Sequence, residues 1–253
     1  MEYTLITGAS AGIGQVFALQ LAQQGNNLIL TARRKDRLDA LAKELSATYN
    51  VTVETLAADL STSEGASLIY QQVSQAGWKI NGLINNAGFG DRGTFMELTL
   101  ERQLQMIQLN VTTLVELTYR LLPNIKQNSN AFIINVASTA AFQAGPKMAV
   151  YYATKAFVLS FSEALHEELK SDSIYVSALC PGATVSEFST EANMTNTKIF
   201  KAGAMSAEAV VKKSLRNKHK AIVITGPKNI FGVWSAKLSP RSVNRKLAGW
   251  LQA

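Results

Sequence analysis

The sequence has one cysteine, Cys180, and only two histidines, His166 and His219, in 253 residues. A single thiol excludes an internal disulfide framework, and two histidines far apart in the chain argue against a zinc or haem site. No apolar run approaches the ~20 residues that span a bilayer. No basic stretch leads into a long apolar one at the N-terminus, where Met1 is followed almost at once by Tyr3-Thr4-Leu5-Ile6-Thr7; this argues against a signal peptide. Five prolines and sixteen glycines are too few for a collagen-like or low-complexity chain. The expectation from these absences is a reducing, cytoplasmic setting. What is present is 47% hydrophobic against 17% charged residues, enough for a substantial core and too apolar for wholesale disorder.

The net charge of +7 is unevenly spread. Residues 198–253 hold twelve Lys/Arg against one acid, Glu208, a net +11, whereas residues 1–197 hold thirteen against seventeen, a net −4. The basic character therefore belongs to the C-terminal quarter. No motif that reads DNA or RNA accompanies it, so nucleic acid is not an expected partner. Phe231, Trp234, Leu238, Leu247, Trp250 and Leu251 are interspersed with these bases. That pattern suits peripheral membrane contact as well as an ordinary solvated surface.

Short β-branched or Leu/Ile-rich runs alternate with amphipathic stretches. The runs Tyr3–Thr7, Asn27–Thr31, Thr52–Ala57, Gly82–Asn85, Ala131–Val136, Ile174–Leu179 and Ala221–Thr225 read as strands. Helical patterns lie between them at Ile13–Gln24, Asp36–Tyr49, Thr62–Ala76, Leu100–Lys126, Tyr151–Lys170 and Ala207–Arg216. Several runs are apolar at successive positions, as in Phe132-Ile133-Ile134, which suits strands buried on both faces. The expected fold is a single α/β domain over residues 1–253: a Rossmann-like, doubly wound parallel sheet of about seven strands with helices on both faces. Residues 186–205 are polar, with Phe188, Met194, Ile199 and Phe200 scattered among them. They follow the sixth strand at the sheet edge where α/β ligands bind, which makes them a candidate substrate lid, with residues 226–253 as a basic C-terminal extension.

Two constellations carry chemistry. Thr7-Gly8-Ala9-Ser10-Ala11-Gly12-Ile13-Gly14 joins the first strand to a helix beginning near Gly12. Glycines there allow a tight turn and close helix packing, and the open amides of a helix start favour a pyrophosphate. Tyr151 and Lys155 stand four apart on a predicted helix, hence on one face. A phenol is a poor acid–base group at neutral pH, but a neighbouring ammonium favours its phenolate. Tyr152 lies three residues before Lys155 and could also reach it.

Thr7-Gly8-x-x-x-Gly12-x-Gly14, Asn85-Asn86-Ala87-Gly88, Asn110, Ser138, Tyr151-x-x-x-Lys155 and Pro181-Gly182 occur in the order and at about the intervals of the short-chain dehydrogenase/reductases. The resemblance covers essentially the whole chain. The sequence also looks like a subgroup with a Cys-Pro-Gly-Ala-Thr segment, here Cys180–Thr184, and a basic C-terminal extension. The resemblance implies an oxidoreductase moving a hydride between a nicotinamide cofactor and a carbonyl or secondary alcohol substrate. By the family's pattern Tyr151 is the acid–base residue, Lys155 supports it and binds the nicotinamide ribose, Ser138 holds the substrate oxygen, and Asn110 anchors a proton-relaying water. A non-enzymatic nucleotide sensor of the same fold would be expected to lack this set, and a membrane-associated reductase of lipid-like carbonyls is the other alternative.

The resemblance also places the cofactor. Gly8, Ser10, Gly12, Ile13 and Gly14 take the pyrophosphate; Asp59 and Leu60, after strand three, take the adenine; Asn86, Ala87 and Gly88 line the adenosine-ribose side. Pro181, Gly182 and Thr184 or Ser186 meet the nicotinamide, the family commonly having threonine where Ser186 stands. Asp59 could equally cap the next helix. NAD enzymes carry an acid at the end of strand two, whereas this chain has Arg33-Arg34, suited to a 2′-phosphate, so NADP is expected over NAD. Arg33, directly after Ala32, is the better placed, although both arginines could instead pair with Asp36 and Asp39. Phe89, Phe142, Tyr152, Phe188 and Met194 hint at an apolar substrate pocket. Family members pair the helices Leu100–Lys126 and Tyr151–Lys170 across a twofold axis. Leu114, Val115, Leu117, Leu121, Leu122, Phe157, Val158 and Phe161 on them lead us to expect a homodimer or homotetramer.

Overall fold

In the strands, neighbouring side chains point to opposite faces, and here both faces are apolar. Leu5, Ile29, Leu83 and Ile133 are fully buried on one side of the sheet, and Ile6, Leu30, Ile84 and Ile134 on the other. A sheet of this kind needs helices on both faces, and it has them. The computed structural model describes residues 1–128, 130–192, 197–198 and 203–251. Seven strands, β1 (Glu2–Thr7), β2 (Asn27–Ala32), β3 (Val53–Ala57), β4 (Lys79–Asn85), β5 (Phe132–Val136), β6 (Tyr175–Cys180) and β7 (Ile222–Ile224), form one sheet. Its order is β3-β2-β1-β4-β5-β6-β7, every pair parallel. All seven expected strands are present.

Helices α1 (Gly12–Ala22) and α2 (Lys35–Tyr49) cover one face through Phe17, Leu21, Leu38 and Leu45. Helices α3 (Gly65–Gln75) and α5 (Thr113–Ile125) cover the other through Ile69, Val73, Leu117 and Leu121. α6 (Ala149–Glu168) adds Val158 and Leu159 against Ala178 and Cys180 of β6. The strand order reverses between β1 and β4, so the connections leaving these two strands diverge and open a crevice at their C-terminal ends. The glycine turn, Asn86–Gly88, Ser138 and Pro181-Gly182 all follow strands at that edge.

Three local features depart from the expectation. The single helix expected over Leu100–Lys126 is two, α4 (Leu100–Ile107) and α5, joined by one π-helical turn, Gln108–Thr112, with Asn110 buried inside it. An asparagine fits a helix interior poorly, and a π turn gives its side chain a place to reach inward. After the short α7 (Glu187–Glu191) and α8 (Ala207–Arg216), the basic extension forms two helices, α9 (Pro227–Leu238) and α10 (Arg241–Leu251). Pro227 starts α9 and Pro240 separates the pair, both positions proline tolerates. Finally, Leu114, Leu117, Leu121 and Val158 are turned into this chain's own core, so they offer nothing to a second subunit.

Of the candidate lid, Met194, Ile199 and Phe200 lie outside the described residues. Its base is tied: Val185 N–H donates to the Met205 carbonyl and Met205 N–H to that of Ala183, at 3.0 and 2.9 Å. Among the described residues no helix is long and apolar enough to cross a membrane.

Candidate active site

The crevice holds a cavity of about 510 Å³. Gly8, Ser10, Gly12, Ile13, Arg33, Arg34, Asp59, Leu60, Asn86, Ala87, Gly88, Ser138, Tyr151, Lys155, Pro181, Gly182, Thr184 and Ser186 all line it. Among the expected site residues, Gly14 and Asn110 alone are set back from its wall, and each has a visible structural task.

Gly8 and Gly12 take positive φ, 66° and 56°, which an L side chain rarely adopts. A Cβ on Gly14 would overlap the Gly8 carbonyl, so its lack of a side chain lets α1 sit against β1. Asn86 clamps this turn: its Nδ2 donates to the Thr7 and Gly8 carbonyls at 2.9 and 3.2 Å. Thr7 Oγ1 in return accepts the amides of Asn86 and Ala87, both at 2.9 Å. The N-cap of α1 is Ala11, a poor one, with no side chain bonding the first-turn amides and no acid in that turn. A helix start left open on a cavity wall is a fitting seat for a phosphate group.

At the end of β2 the arginines have different surroundings. Arg34 donates through Nη2 and Nε to Ser10 Oγ, at 3.0 and 3.3 Å, and through Nη2 to Glu187 Oε2 at 2.8 Å. Arg37 reaches the other Glu187 oxygen at 2.6 Å. These bonds from Arg37 and Arg34 hold the Glu187 carboxyl below the usual carboxylate range. Neither Arg33 nor Arg34 pairs with Asp36 or Asp39; Asp39 instead accepts from Lys35 and Thr55. Arg33 is exposed beside Asp59. Asp59 is not a helix cap, since α3 begins only at Gly65; its Oδ1 accepts from Ser61 N and Oγ at 2.9 and 2.6 Å. Burial raises the Asp59 carboxyl, but the Ser61 bonds and the Arg33 charge bring it below its ordinary value.

At the opposite end, Tyr151 and Lys155 are both buried. Burial pushes the Tyr151 phenol well up, with the Ser138 hydroxyl acting against that rise. Lys155 Nζ donates to the Val136 carbonyl at 2.7 Å and stands 5.8 Å from the centre of the Tyr151 ring. Burial lowers its ammonium to about 8. Asn110 Nδ2 donates to the Phe89 carbonyl (2.9 Å) and Thr154 Oγ1 (3.1 Å), while its Oδ1 accepts the Phe89 amide (3.1 Å). It thus fixes the loop after β4 against α6. Thr184 Oγ1 donates to the Gly182 carbonyl and Ser186 Oγ to that of Thr184, at 3.0 and 3.4 Å. Cys180 is fully buried, and burial lifts its thiol to about 12, so it is a small core side chain and no nucleophile.

The profile of the short chain dehydrogenase family matches residues 2–197. The chain belongs to the short-chain dehydrogenase/reductase family. It is 32% identical over 186 residues to the mouse (Mus musculus) very-long-chain 3-oxoacyl-CoA reductase, a match covering 71% of this chain and 58% of that protein. It is 33% identical over 219 residues to human (Homo sapiens) 17-beta-hydroxysteroid dehydrogenase type 3, covering 85% and 67%. The chain therefore matches little more than half the length of the first of these relatives. A solved short-chain dehydrogenase from Sphingobium yanoikuyae in complex with NADPH superposes with a TM-score of 0.83 at 35% identity, covering 94% of this chain and 92% of that one.

Within this dehydrogenase fold, Phe89, Tyr152 and Phe188 line the cavity, and Phe188 lies 5.6 Å from Tyr151, ring centre to ring centre. Phe142 does not line it: the side chain packs beside Val158 and Ala178, with Lys237 5.2 Å above its ring. Two charged cavity residues were not anticipated. Arg102 lies 3.9 Å over the Phe89 ring and pairs with Asp91, and Glu187 bridges two arginines. No local motif marks either, because each is defined by a partner on another element.

Proposed function

We propose that this chain is an NADP(H)-preferring reductase of apolar carbonyl compounds, working reversibly on the matching secondary alcohols. The observation that carries the reading is one cavity with two chemically distinct ends: buried Tyr151 and Lys155 with half-buried Ser138 at one, and Arg33 with Arg34 beside an uncapped helix start at the other. Gly8, Ser10, Gly12 and Ile13 would hold the pyrophosphate, the two arginines the 2′-phosphate, and Asp59 with Leu60 the adenine. Lys155 would bond the nicotinamide ribose, with Pro181, Gly182 and Thr184 or Ser186 against the ring. When bound, the nicotinamide supplies or accepts the hydride at the substrate carbon.

The protein's own part is proton transfer and orientation. Ser138 donates to the substrate oxygen and steadies its growing negative charge. Tyr151 Oη gives up its proton to that oxygen, and the phenolate left behind is stabilised by the Lys155 ammonium. Asn110 positions this group from behind through Phe89 and Thr154. Phe89, Tyr152 and Phe188 give the substrate an apolar lining, which supports the choice of a hydrophobic carbonyl.

A direction follows from the burial of Tyr151 and Lys155. Burial keeps Tyr151 protonated at neutral pH, the form a reduction needs. Lys155, lowered to about 8, is charged at pH 7 and loses its proton above that value. Reduction rates should therefore hold steady near neutrality and fall above about pH 8, where the phenolate left on Tyr151 loses its ammonium partner. NADPH consumption measured over aldehydes, ketones, steroids, sugars and acyl thioesters, then over pH for the best substrate, tests both statements. No turnover of any carbonyl class would overturn the assignment, and a reduction rate still climbing at pH 9 would overturn the role of Lys155.

Assembly is the remaining element. Leu100, Leu104 and Ile107 recur on one face of α4 and are exposed, as are Tyr119 on α5 and Phe157 on α6. These, rather than the inward leucines, are the side chains a second copy would cover. We infer a homodimer or homotetramer built on these helices, for which light scattering at micromolar concentration should return a mass of two or four chains. A single-chain mass would exclude it.

A further inference from the structure

We propose that helices α9 and α10 form a docking face for an anionic lipid bilayer. Phe231, Trp234 and Leu238 recur along one stripe of α9, and Val243, Leu247 and Trp250 along one stripe of α10; all six are more than half exposed. Single exposed apolar residues are ordinary, but two consecutive helices with their large side chains turned outward are not. The inward positions belong to smaller groups, Val233 on α9 and Asn244 and Ala248 on α10. Asn244 Nδ2 bonds the Ala236 and Ser239 carbonyls and so ties the start of α10 to the end of α9.

The charge around these stripes selects the occupant. Lys228, Lys237, Arg241, Arg245 and Lys246 are exposed, and among the described residues none of the five is in a salt bridge. No acidic residue follows Glu208 in the sequence. A second copy placed on this face across a twofold axis would set bases against bases. A nucleic acid would meet the charges but leave the leucines in water. An anionic bilayer satisfies both, with phosphate headgroups for the bases and the acyl boundary for Phe231, Trp234, Leu247 and Trp250.

The face also borders the cleft. Asn229 of α9 lies against Gly182, Lys237 covers Phe142 just beyond Ser138, and Gly249 of α10 packs on Pro146. Docking would bring the substrate side of the cavity close to a lipid surface.

Co-sedimentation of the full chain with phosphatidylglycerol/phosphatidylcholine vesicles tests the proposal, and because it reads binding alone it is independent of the reductase assignment. The protein should pellet with anionic vesicles at low salt, several-fold less at high salt, and little with phosphatidylcholine alone. Replacing Phe231, Trp234 and Leu238 by serine should weaken binding roughly tenfold or more while the thermal midpoint and the mass by light scattering stay unchanged. Lys237→Glu with Arg241→Glu should weaken it by a similar factor without touching the apolar stripe. Wild type left in the supernatant with anionic vesicles, or serine variants that pellet as well as wild type, would overturn the proposal. Serine variants of reduced mass would overturn it too, assigning the face to a subunit contact.

Discussion

Tyr151→Phe should lower kcat for carbonyl reduction by roughly two to four orders of magnitude, the usual contribution of a positioned general acid, and leave NADPH affinity nearly intact. The substitution deletes one hydroxyl in a buried site and keeps the ring packed against Phe188 and Tyr152. The packing is otherwise unchanged, so a lost rate cannot be ascribed to unfolding if the thermal midpoint is kept. Tyr152→Phe is the matched control. Tyr152 is also buried, on the same helix, with its ring edge-on to Tyr151 at 6.1 Å. It lines the cavity too, so its hydroxyl should influence KM more than kcat. Single-turnover rates with saturating NADPH, beside cofactor titrations by fluorescence, separate the two. Equal loss of kcat in both variants, or activity retained in Tyr151→Phe, would move the acid elsewhere.

The sheet was legible in the sequence because its inner strands, buried on both faces, carry nearly unbroken apolar runs; the edge strands β3, with Glu54 and Thr55, and β7 are less buried and show it less clearly. The cavity wall was legible for a related reason. Its residues cluster just after strands, at the one edge where all the parallel strands end: Gly8–Ile13 after β1, Arg33-Arg34 after β2, Asp59-Leu60 after β3, Asn86–Gly88 after β4, Ser138 after β5 and Pro181–Ser186 after β6. What the sequence hid depends on partners far along the chain. Whether Leu117 or Leu100 faces solvent is decided by which side of a helix meets the sheet, and an apolar residue at either place reads alike. Phe142 was misplaced because one turn of chain after Ser138 carries it out of the cleft and onto α6. The π turn around Asn110 could be suspected only from a polar residue at odds with a helix interior. Glu187 sits 153 residues from Arg34, and nothing near either one announces the other.

That ion pair changes the expected result for cofactor choice. Arg33 makes no hydrogen bond or ion pair among the described residues beyond its charge on Asp59, so its guanidinium is open to a 2′-phosphate. Arg34 is already engaged by Ser10 and Glu187. A charge-assisted bond to phosphate is worth about 1.5–3 kcal/mol, roughly ten- to 150-fold in affinity, whereas a half-exposed ion pair such as Arg34–Glu187 contributes about 0.2–1 kcal/mol. The phosphate should therefore win Arg34 from Glu187, but against a small opposing cost that Arg33 does not carry. Arg33→Ala should erase most of the preference for NADPH over NADH. Glu187→Gln should act the other way, tightening NADPH by up to about fivefold, and NADH should barely respond to either change because it has no 2′-phosphate. Added salt should shrink the preference, since all these charges lie near the surface. Fluorescence titration of both reduced cofactors against wild type and the two variants measures each term. If wild type bound NADH as tightly as NADPH, the arginines would have no part in phosphate recognition. If Glu187→Gln weakened both cofactors alike, the carboxylate would be holding α7 in place for binding, not competing with the phosphate.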